Sequence, residues 1–317
     1  MTYIRRTMKV IENPNTRRRR IAAVGMYDGV HLGHRFLVEY LRREADRREL
    51  TPSVVTFRTH PLTVVRPLDA PRLLTSLDDR LRRLAAEGVD DLILLTFDED
   101  MRRYTARQFL GALHKRYGVD ALVVGFNNRF GHDRAEGYEQ YKNIGSEIGM
   151  EVLRAPEYGD GSIHISSSAI RALLAEGEVR KANNALGRRH SFTGTVTKGK
   201  GLGRQIGYPT ANITPVCENI MLPRQGVYGA LATLPDGQRY PAVVNIGHRP
   251  TVDSREDAPL TIEVHVIDYN GYLYDDEITI EFVDSLRREK KFDSVEKLKA
   301  QIADDVKAAL RILKLDK

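Results

Sequence analysis

The hydrophobic pattern of this chain changes once along its length, and that change limits the folds it can adopt. In the first half, short apolar runs alternate with stretches of helical periodicity, such as RFLVEYLRREADRREL and SLDDRLRRLAAEG. The apolar runs read RIAAVGMY, SVVTF, LILLTF, ALVVGF and EVLRAP. This β-α-β rhythm predicts an α/β domain with a parallel sheet covered by helices, and ligands bind such sheets at the carboxyl ends of the strands.

The second half alternates apolar and polar residues with the two-residue period of strands. The alternation runs through SFTGTVT, GVYGALATLPDGQRYPAVVNIG and LTIEVHVIDYNGYLYDDEITIEFVD, and the two longer stretches contain the turn signals PDG and YNG. We predict an antiparallel meander that closes into a small β-barrel. A terminal helix is predicted from about Ser294, and its apolar face would comprise Val295, Leu298, Ile302, Val306 and Leu313.

The boundary between the two patterns falls within EGEVRKANNALGRRH, and we place it near Asn184. The predicted domains are therefore residues 1–184 and residues 185–317. A chain of 317 residues is long enough for two domains that each bury a core.

Composition narrows the possible partners. The net charge of +6 and the pI of about 9.3 favour a protein that binds nucleic acid or handles small phosphates such as ATP. The interleaved aromatic and basic residues of single-strand binders are absent, so we expect no nucleic-acid partner. The chain has no 18-residue apolar run, no apolar signal segment and a single cysteine, Cys217. We expect a cytoplasmic protein without membrane contact or disulfide, either a monomer or a weak homo-oligomer.

A turn with two histidines lies between the first apolar run and the first helical stretch. It reads GMYDGVHLGH, with Gly25 and Gly29 suited to a tight turn and His31 and His34 at the start of the predicted helix. The unpaired N–H groups and the dipole of a helix start attract phosphate. Imidazoles three residues apart share a helix face, and Gly33 lets a nucleotide approach the backbone. We expect the histidines to stabilise phosphate charge during transfer.

Two alternatives remain for this turn. His31, His34 and His60 could ligate zinc, although helical zinc sites usually space two histidines by four residues with a Glu between them. The two histidines of the turn could also be unrelated surface residues.

A second dense motif, GKGLGRQIGYPTAN, occupies Gly199 to Asn212. The backbone N–H groups of such a loop can wrap phosphates, with cationic side chains beside them. The stretch lacks the Gly-Lys-Ser/Thr ending of a P-loop, and a flexible hairpin is the alternative. Thr210 and Asn212 alternate along a strand and so share a face, and their oxygens suit Mg²⁺ that bridges ATP phosphates. The candidate phosphate-binding residues of the loop are Gly199, Lys200, Gly201 and Gly203.

Glu263 is an acidic residue in TIEVHVID, a strand that otherwise reads apolar. A kinase that acts on an alcohol benefits from a carboxylate near the hydroxyl. The alternative is an exposed strand carboxylate with no catalytic role.

The histidine turn resembles the signature of nucleotidylyltransferases, in the form GxFDGVHxGH of bacterial FAD synthetases. Three further stretches resemble elements of that family in the expected order. TFRTHP is similar to its TFxPHP element, VVGFNNRFGHDRAEG to its VGxxFxFGxxxxG loop and ISSSAIR to its ISSTxIR segment. Tyr27 stands where the family commonly has Phe, Thr59 where it has Pro and Asn128 where it has an aromatic residue. These departures concern the flavin pocket more than the reaction.

The resemblance implies a Rossmann-like nucleotidylyltransferase domain in which His31 and His34 are catalytic. It also implies that His60 and Pro61 bind flavin. The nucleotide-binding residues that it implies are Gly25, Asp28, Gly33, Asn127, Ser166, Ser167, Ser168 and Arg171.

The second half resembles the riboflavin kinases. GKGLGRQIGYPTAN is similar to their GxxLGxxxGxPTAN signature, PAVVNIGHRPT to their NIGxxPT loop, and Ile262 to Asp305 to their base strand and closing segment. The resemblance implies a six-stranded antiparallel barrel with Glu263 as the general base. The residues it implies for Mg-ATP are Pro209, Thr210 and Asn212, and those for flavin are Arg287 and Phe292.

Together the resemblances cover nearly all residues after about 20, in the order of the bacterial bifunctional riboflavin kinase and FAD synthetase family. They imply that riboflavin and ATP give FMN and ADP, and that FMN and ATP give FAD and pyrophosphate, with Mg²⁺ or another divalent cation as cofactor. One alternative is a kinase whose first domain accepts another nucleotide-forming phosphate. The other is a flavin-responsive regulator that uses its positive charge on RNA.

Overall fold

The computed structural model of the protein describes residues 8–125, 130, 137–159, 165–199, 202–248 and 260–315. The chain forms two compact units. The first unit comprises Met1–Pro71 and Leu77–Ser166, and the second comprises Arg72–Ser76 and Ser167–Lys317. Three predicted site residues lie outside the described residues, namely Asn127, Lys200 and Gly201.

The first unit contains a six-stranded sheet in which the described pairings are all parallel. Its strands are β1 (Lys9–Ile11), β2 (Arg20–Val24), β3 (Thr51–Phe57), β4 (Asp91–Leu95), β5 (Val119–Val124) and β6 (Glu151–Arg154). They lie in the order β1-β4-β3-β2-β5-β6. The predicted parallel sheet and its five apolar strands are confirmed. The sequence pattern missed β1, because three residues are too few to show a period.

Helices cover both faces of this sheet. They are α1 (Leu32–Arg48), α2 (Leu62–Val65), α3 (Leu77–Ala86), α4 (Glu99–Arg102), α5 (Ala106–Tyr117) and α6 (Tyr138–Ile148). Alternate residues of β2 show why its sequence is apolar throughout. Ala22 and Val24 pack into the core beneath α5 and α6, whereas Ile21 and Ala23 pack into the core beneath α1 and α3.

The second unit contains a closed barrel of six antiparallel strands, as predicted. Its strands are β7 (Ser191–Thr197), β8 (Ala211–Pro215), β9 (Gly226–Thr233), β10 (Arg239–His248), β11 (Leu260–Val266) and β12 (Glu277–Arg287), in the order β10-β11-β8-β7-β12-β9. Its helices are α7 (Ser167–Glu176), α8 (Val179–Leu186), α9 (Leu202–Gln205) and α10 (Val295–Leu315).

The two faces of the barrel wall bury different partners. Buried rings fill the interior, where Phe192 and Tyr228 both pack against Phe282, with centroids 5.9 Å and 5.6 Å from its ring. On the outer face, Val227 and Val243 form a small core with residues of α10. Part of the outer face of the barrel is therefore covered by α10, and a ligand-binding site can lie between the two.

The terminal helix begins at Val295, close to the predicted Ser294. Leu313, from the predicted apolar face, is buried, and Ala309 joins it against the barrel. Val295 is half-exposed, so the first residue of the helix does not contribute to that face.

Two helices before the predicted boundary pack with the barrel. In α8, Asn183 Nδ2 donates to Phe282 O at 2.9 Å, and Asn183 Oδ1 accepts from His190 N at 2.7 Å. Arg224 N donates to Leu174 O of α7 at 2.9 Å. These bonds explain why the compact second unit begins at Ser167. The boundary near Asn184 stays a prediction about which fragment folds alone.

None of the helices in the described part of the chain is both long enough and apolar enough to cross a membrane.

Candidate active sites

Three predicted motifs meet at one edge of the parallel sheet. GMYDGVHLGH follows β2, TFRTHP follows β3 and VVGFNNRFG follows β5. These strands are neighbours, with β2 between β3 and β5. Because parallel strands end at the same edge, the described parts of the motifs lie side by side. The edge beside β2 is also where the chain connections diverge to either side, which is the usual ligand site of an open α/β sheet.

The histidine turn contains backbone strain. Tyr27 has a φ of 52° and Val30 a φ of 39°, in the left-handed region that is sparsely populated by residues other than glycine. Val30 N donates to Tyr27 O at 3.0 Å, and Thr56 Oγ1 from β3 donates to Met26 O at 3.1 Å. The surrounding structure thus holds the turn in an unfavourable conformation, which is typical of functional sites.

The two histidines of the turn are brought together. His31 is the N-cap residue of α1, and its Nδ1 accepts a hydrogen bond from His34 N at 3.3 Å. The two rings are stacked, with centroids 3.7 Å apart and planes inclined by 18°. Because Nδ1 of His31 accepts, a neutral His31 carries its proton on Nε2 and can donate it to an oxygen.

His34 is held in its neutral form. Its Nδ1 is buried and has no hydrogen-bond partner among the described residues. Burial lowers the pKa of His34 well below its ordinary value of 6.5, and the nearby charges of His31 and Arg80 lower it further. At neutral pH the His34 ring therefore acts through a hydrogen bond and not through a full positive charge.

Arg80 lies beside the histidine turn and belongs to none of the sequence motifs. It lies on α3 and is 1% exposed. Its NH2 donates to Phe57 O at 2.6 Å, and its NH1 lies 3.5 Å from Met26 Sδ in the histidine turn. A signal was present, since Arg80 follows Leu77 by three residues and precedes Leu84 by four, on the face that packs into the core.

Gly33 allows a close approach at the first turn of α1. A Cβ at this position would lie 3.2 Å from His31 Cε1 and 3.6 Å from the carbonyl oxygen of Ile165. The helix start therefore contacts the residue just before the predicted serines. Ser166 ends the first unit. The other residues of that motif, Ser167, Ser168 and Arg171, belong to the second unit.

The remaining predicted residues of the first site fall into three places. Arg171 Nε donates to Arg72 O at 2.6 Å within the second unit. His60 and Pro61 lead into α2, where His60 Nδ1 accepts from Leu62 N at 3.2 Å. Asp28 is buried in the histidine turn. Among the described residues no group of three His, Cys, Asp or Glu could hold a metal ion, which leaves the zinc alternative without a ligand set there.

Glu263 lies at the centre of a polar row on the barrel. It is directly opposite Asn212 on β8 and directly opposite Asn245 on β10. Side chains at such paired positions lie on one face of the sheet, about 5 Å apart. The flanking Ile262 and Val264 are buried on the opposite face. Asn245 was not among the predicted site residues, although it is the Asn of the PAVVNIGHRPT motif.

This row lines a cavity of about 400 Å³ on the outer face of the barrel. One wall is apolar and comprises Val227 and Val243 from the barrel and Leu298 and Ile302 from α10. The other residues are mostly polar. Predicted residues among them are Gly203, Thr210, Asn212, Glu263, Arg287 and Phe292.

The segment before β8 is fixed by His265. The His265 Nδ1 lies 2.8 Å from Pro209 O, and because a carbonyl only accepts, Nδ1 donates. Gly199 packs against Asn212 so closely that a Cβ there would overlap the side-chain amide. These contacts set the positions of Thr210 and Asn212. Their oxygens and the Glu263 carboxylate are hard donors that fit Mg²⁺, with water or phosphate to complete its shell.

Thr210 borders a second cavity as well. That cavity has a volume of about 420 Å³ and also contains Pro209. Its aromatic lining comprises Tyr269, Tyr272 and Tyr274. Because Thr210 lines both cavities, molecules bound in the two cavities would lie next to the same residue.

Arg287 is held by the terminal helix. Its Nε and NH2 donate to the carboxylate of Asp305 at 2.9 Å and 2.8 Å. Gln301 Nε2 donates to the same carboxylate at 3.1 Å. The Arg287 guanidinium lies 5.7 Å from the centroid of the Phe292 ring. Asp305 thus belongs to the site, and it could not be found from the sequence because nothing there pairs it with Arg287.

Known protein families match both halves of the chain. The FAD synthetase family model matches residues 13–169, and the riboflavin kinase (flavokinase) model matches residues 186–313. A solved structure of a Streptococcus pneumoniae protein, described as a macrolide-efflux protein, has a TM-score of 0.85 at 30% identity. The likeness covers 96% of this chain and 98% of that one.

Curated relatives match the chain over nearly its whole length. A bifunctional riboflavin kinase/FMN adenylyltransferase of Escherichia coli K12 is 36% identical over 299 residues, which is 94% of each chain. The protein of the same name from Bacillus subtilis is 31% identical over 293 residues, which is 92% of each chain. Two matched domains in one order, on a parallel sheet and a six-stranded barrel, lead to one conclusion: the chain belongs to the family of bifunctional riboflavin kinase/FMN adenylyltransferases.

Proposed function

We propose that the barrel of the second unit phosphorylates riboflavin and that the histidine turn of the first unit adenylylates the resulting FMN. The chain is a riboflavin kinase and an FMN adenylyltransferase, and it makes FAD at the expense of two ATP molecules. The assignment of residues rests above all on the polar row of Asn212, Glu263 and Asn245 beside an apolar wall.

The cavity on the barrel suits a flavin. The apolar wall of Val227, Val243 and Ile302 offers a surface for the ring system, and the polar row offers partners for the ribityl hydroxyls. Phe292, with the Arg287 guanidinium near its ring, borders the same space. The neighbouring cavity with its three tyrosines suits the adenine of ATP, because aromatic rings stack on a base.

Glu263 is the general base of the kinase. Its carboxylate accepts the proton of the terminal ribityl hydroxyl as that oxygen attacks the γ-phosphorus, and ADP leaves. Thr210, which borders both cavities, marks where the two substrates meet. A divalent cation held by Thr210 and Asn212 would neutralise phosphate charge there.

Adenylylation takes place at the histidine turn. A phosphate oxygen of FMN attacks the α-phosphorus of ATP, and the bond from that phosphorus to the bridging oxygen breaks, so that pyrophosphate leaves. The attacking phosphate is already ionised and requires no base. The imidazoles of His31 and His34 donate hydrogen bonds to the oxygens on which charge develops, beside the positive end of α1.

The whole proposal is tested by incubating the purified chain with riboflavin and Mg-ATP and separating the flavins by chromatography. We expect FMN to form first and FAD to follow, and both to stop when EDTA removes the divalent cation. Accumulation of FMN without FAD would instead favour the alternative in which the first domain uses another phosphate. RNA binding that weakens with salt, without ATP turnover, would favour the regulator.

The domain boundary is a separate proposal, and two fragments test it. Residues 185–317 should make FMN and no FAD if the boundary near Asn184 is right. This fragment loses the side-chain bonds of Asn183 to Phe282 O and His190 N. We therefore expect residues 167–317 to unfold at a higher urea concentration, with the same kinase activity. A folded 167–317 fragment without kinase activity would contradict the modular assignment.

Two further proposals concern the cellular location and the oligomeric state of the protein. The single cysteine and the use of ATP by both reactions support a cytoplasmic location. We also propose that the chain works as a monomer or weak homo-oligomer. Sedimentation at several concentrations would measure the oligomeric state.

A further inference from the structure

Arg80 is a buried cation for which the described part of the chain offers no salt bridge. It is 1% exposed, and among the described residues no carboxylate forms a salt bridge with it. Its Nε is buried and has no hydrogen-bond partner in that part of the chain. Two of its nitrogens have neutral partners, the carbonyl of Phe57 and the thioether of Met26. A buried charge is unfavourable unless hydrogen bonds and an opposite charge compensate it.

The partners of Arg80 place it at the edge where the substrates bind. Phe57 is the last residue of β3, and Met26 lies in the histidine turn after β2. The charge of Arg80 lowers the pKa of the His34 imidazole. Burial lowers the pKa of Arg80 itself, and the nearby charge of Asp28 raises it. The guanidinium therefore lies near both the capped start of α1 and the buried acid of the turn.

The other groups of this site offset the charge of Arg80 only in part. His34 is neutral, and although the single carboxylate of Asp28 raises the pKa of Arg80, burial has the larger effect and lowers it. The substrates of the site supply the remaining negative charge, because the triphosphate of ATP carries several negative charges. Arginine is suited to this role since its planar group presents several donors to phosphate oxygens at once.

We propose that Arg80 binds the β- or γ-phosphate of ATP in the adenylylation site and stabilises the departing pyrophosphate. The inference rests on the proposed location of FMN adenylylation. As the bond between the α-phosphorus and the bridging oxygen breaks, the electron pair moves to pyrophosphate, and Arg80 lies where that added charge is offset. The free Nε is the atom that gains a partner when the anion binds.

A purely structural role for Arg80 makes a different prediction. If Arg80 only ties α3 to the end of β3, its loss should lower the stability of the first unit and leave anion binding unchanged in the protein that remains folded. Inorganic pyrophosphate separates the two roles, because it is the product of adenylylation and not of the kinase reaction.

The test uses the full chain with Arg80→Met, Arg80→Lys and, as a control on the same helix, Arg82→Met. Arg82 has a largely exposed side chain and a long ion pair of 3.6 Å with Asp79. The first measurement is thermal stabilisation by pyrophosphate. The second is the formation of ATP and FMN from FAD and pyrophosphate, with the KM for pyrophosphate. The third is riboflavin phosphorylation on the same preparation.

We expect Arg80→Met to raise the KM for pyrophosphate roughly ten- to a hundred-fold, the range for one charge-assisted hydrogen bond, and to abolish the thermal stabilisation. Arg80→Lys should keep part of the affinity for pyrophosphate and part of the thermal stabilisation. Arg82→Met should match the unaltered chain in both measurements. Riboflavin phosphorylation should be unchanged in all three variants. Normal pyrophosphate binding in folded Arg80→Met or Arg80→Lys would overturn the proposal. Failure of the unaltered chain to make FAD would instead overturn the proposed site of adenylylation.

Discussion

The two active sites transfer phosphorus groups with opposite local chemistry. The barrel site is built from side chains on paired strands, and its centre is a carboxylate, Glu263, between two asparagines. The sheet site is built from a strained turn and a helix start, and the side chains at its centre are two stacked imidazoles and a buried arginine. In the proposed assignment, one site thus presents a base, and the other presents hydrogen-bond donors and a cation.

The difference follows from the two nucleophiles. A ribityl hydroxyl is neutral and must lose a proton as it attacks, so the kinase requires a base. The phosphate of FMN is already an anion, so its attack on a second anionic phosphate requires compensation of charge and no base. The protonation state of the nucleophile, more than the phosphorus chemistry, therefore determines which side chains each site requires.

The largest effect is expected when the base of the kinase site is removed. Glu263→Gln keeps the size of the side chain and its place between Asn212 and Asn245 but removes the basic oxygen. We expect the kinase rate to fall about a hundred- to ten-thousand-fold, the usual contribution of general base catalysis, with FAD formation from supplied FMN unchanged. The measurement is a pair of assays, riboflavin to FMN and FMN to FAD, on one preparation.

Glu277→Gln is the matched control, since Glu277 lies exposed at the start of β12 and should affect neither reaction. A near-normal kinase rate in Glu263→Gln would remove Glu263 from the mechanism, and Asp268 would be the next carboxylate to examine.

Removing a hydrogen-bond donor from the sheet site should affect FMN adenylylation and not riboflavin phosphorylation. His34→Ala should lower FMN adenylylation roughly a hundred- to a thousand-fold, as expected for one lost preorganised donor, and leave riboflavin phosphorylation nearly unchanged. His31→Ala should do the same and also destabilise the start of α1, because His31 Nδ1 caps His34 N. Rates of both reactions and thermal unfolding of each variant are measured.

The control for the histidines is His114→Ala, whose ring lies on α5 with Nδ1 3.0 Å from Val119 O. Equal losses of both activities in a folded His34→Ala protein would contradict the separate assignment of the two sites.

A smaller effect is expected where α10 supports the flavin cavity. Asp305→Asn weakens the paired hydrogen bonds that hold Arg287 beside Phe292, because the amide can accept through only one of its two terminal atoms. We expect the KM for riboflavin to rise about ten-fold, close to 1.4 kcal/mol, with little change in kcat. Kinase kinetics give both parameters.

Asp304→Asn is the neighbouring control, since Asp304 is exposed and pairs only with Lys307 among the described residues. A fall in kcat at constant KM would show that Asp305 acts on the chemical step and not on the flavin cavity.

The smallest effect concerns pH and tests the neutral state of His34. The folded pKa of His34 is lowered, so below about 6.5 the unfolded chain binds a proton that the folded chain does not. The stability that this group preserves at neutral pH is therefore lost as the pH falls below 6.5, by at most about 1.4 kcal/mol per pH unit. Unfolding of the unaltered chain and of His34→Gln in urea at pH 7.5 and pH 5.5 gives the difference. An equal loss of stability in both proteins would show that His34 titrates normally.

Several features could be predicted from the sequence because their signals are local. Glu263 stands out within one strand, and the histidine turn lies between one apolar run and one helical stretch. The backbone geometry of strands and helices sets the periods of two and 3.6 residues, so the hydrophobic pattern of each half predicts its type of secondary structure. The placement of three motifs at one edge of the sheet can also be predicted from the sequence, because the carboxyl ends of parallel strands lie at the same edge.

Other features depend on residues far apart in the chain and could not be predicted. Asn245 joins Glu263 only through the register of β10 and β11, and Asp305 reaches Arg287 only because α10 folds back on the barrel. Arg80 belongs to none of the sequence motifs, although it lies on the apolar face of its helix. Its burial depends on where the sheet edge lies relative to α3.

Periodicity and motif spacing act over a few residues, and for that reason the sequence alone predicts the two architectures, their order and the candidate reactive groups of each site. Only the folded structure shows which side chains stand beside those groups, that His34 is buried and neutral, and that Arg80 is buried without a salt bridge among the described residues. It also decided that α7 and α8 pack with the barrel. The physical reason is that burial and electrostatics depend on distances in space, which strand register and helix packing set.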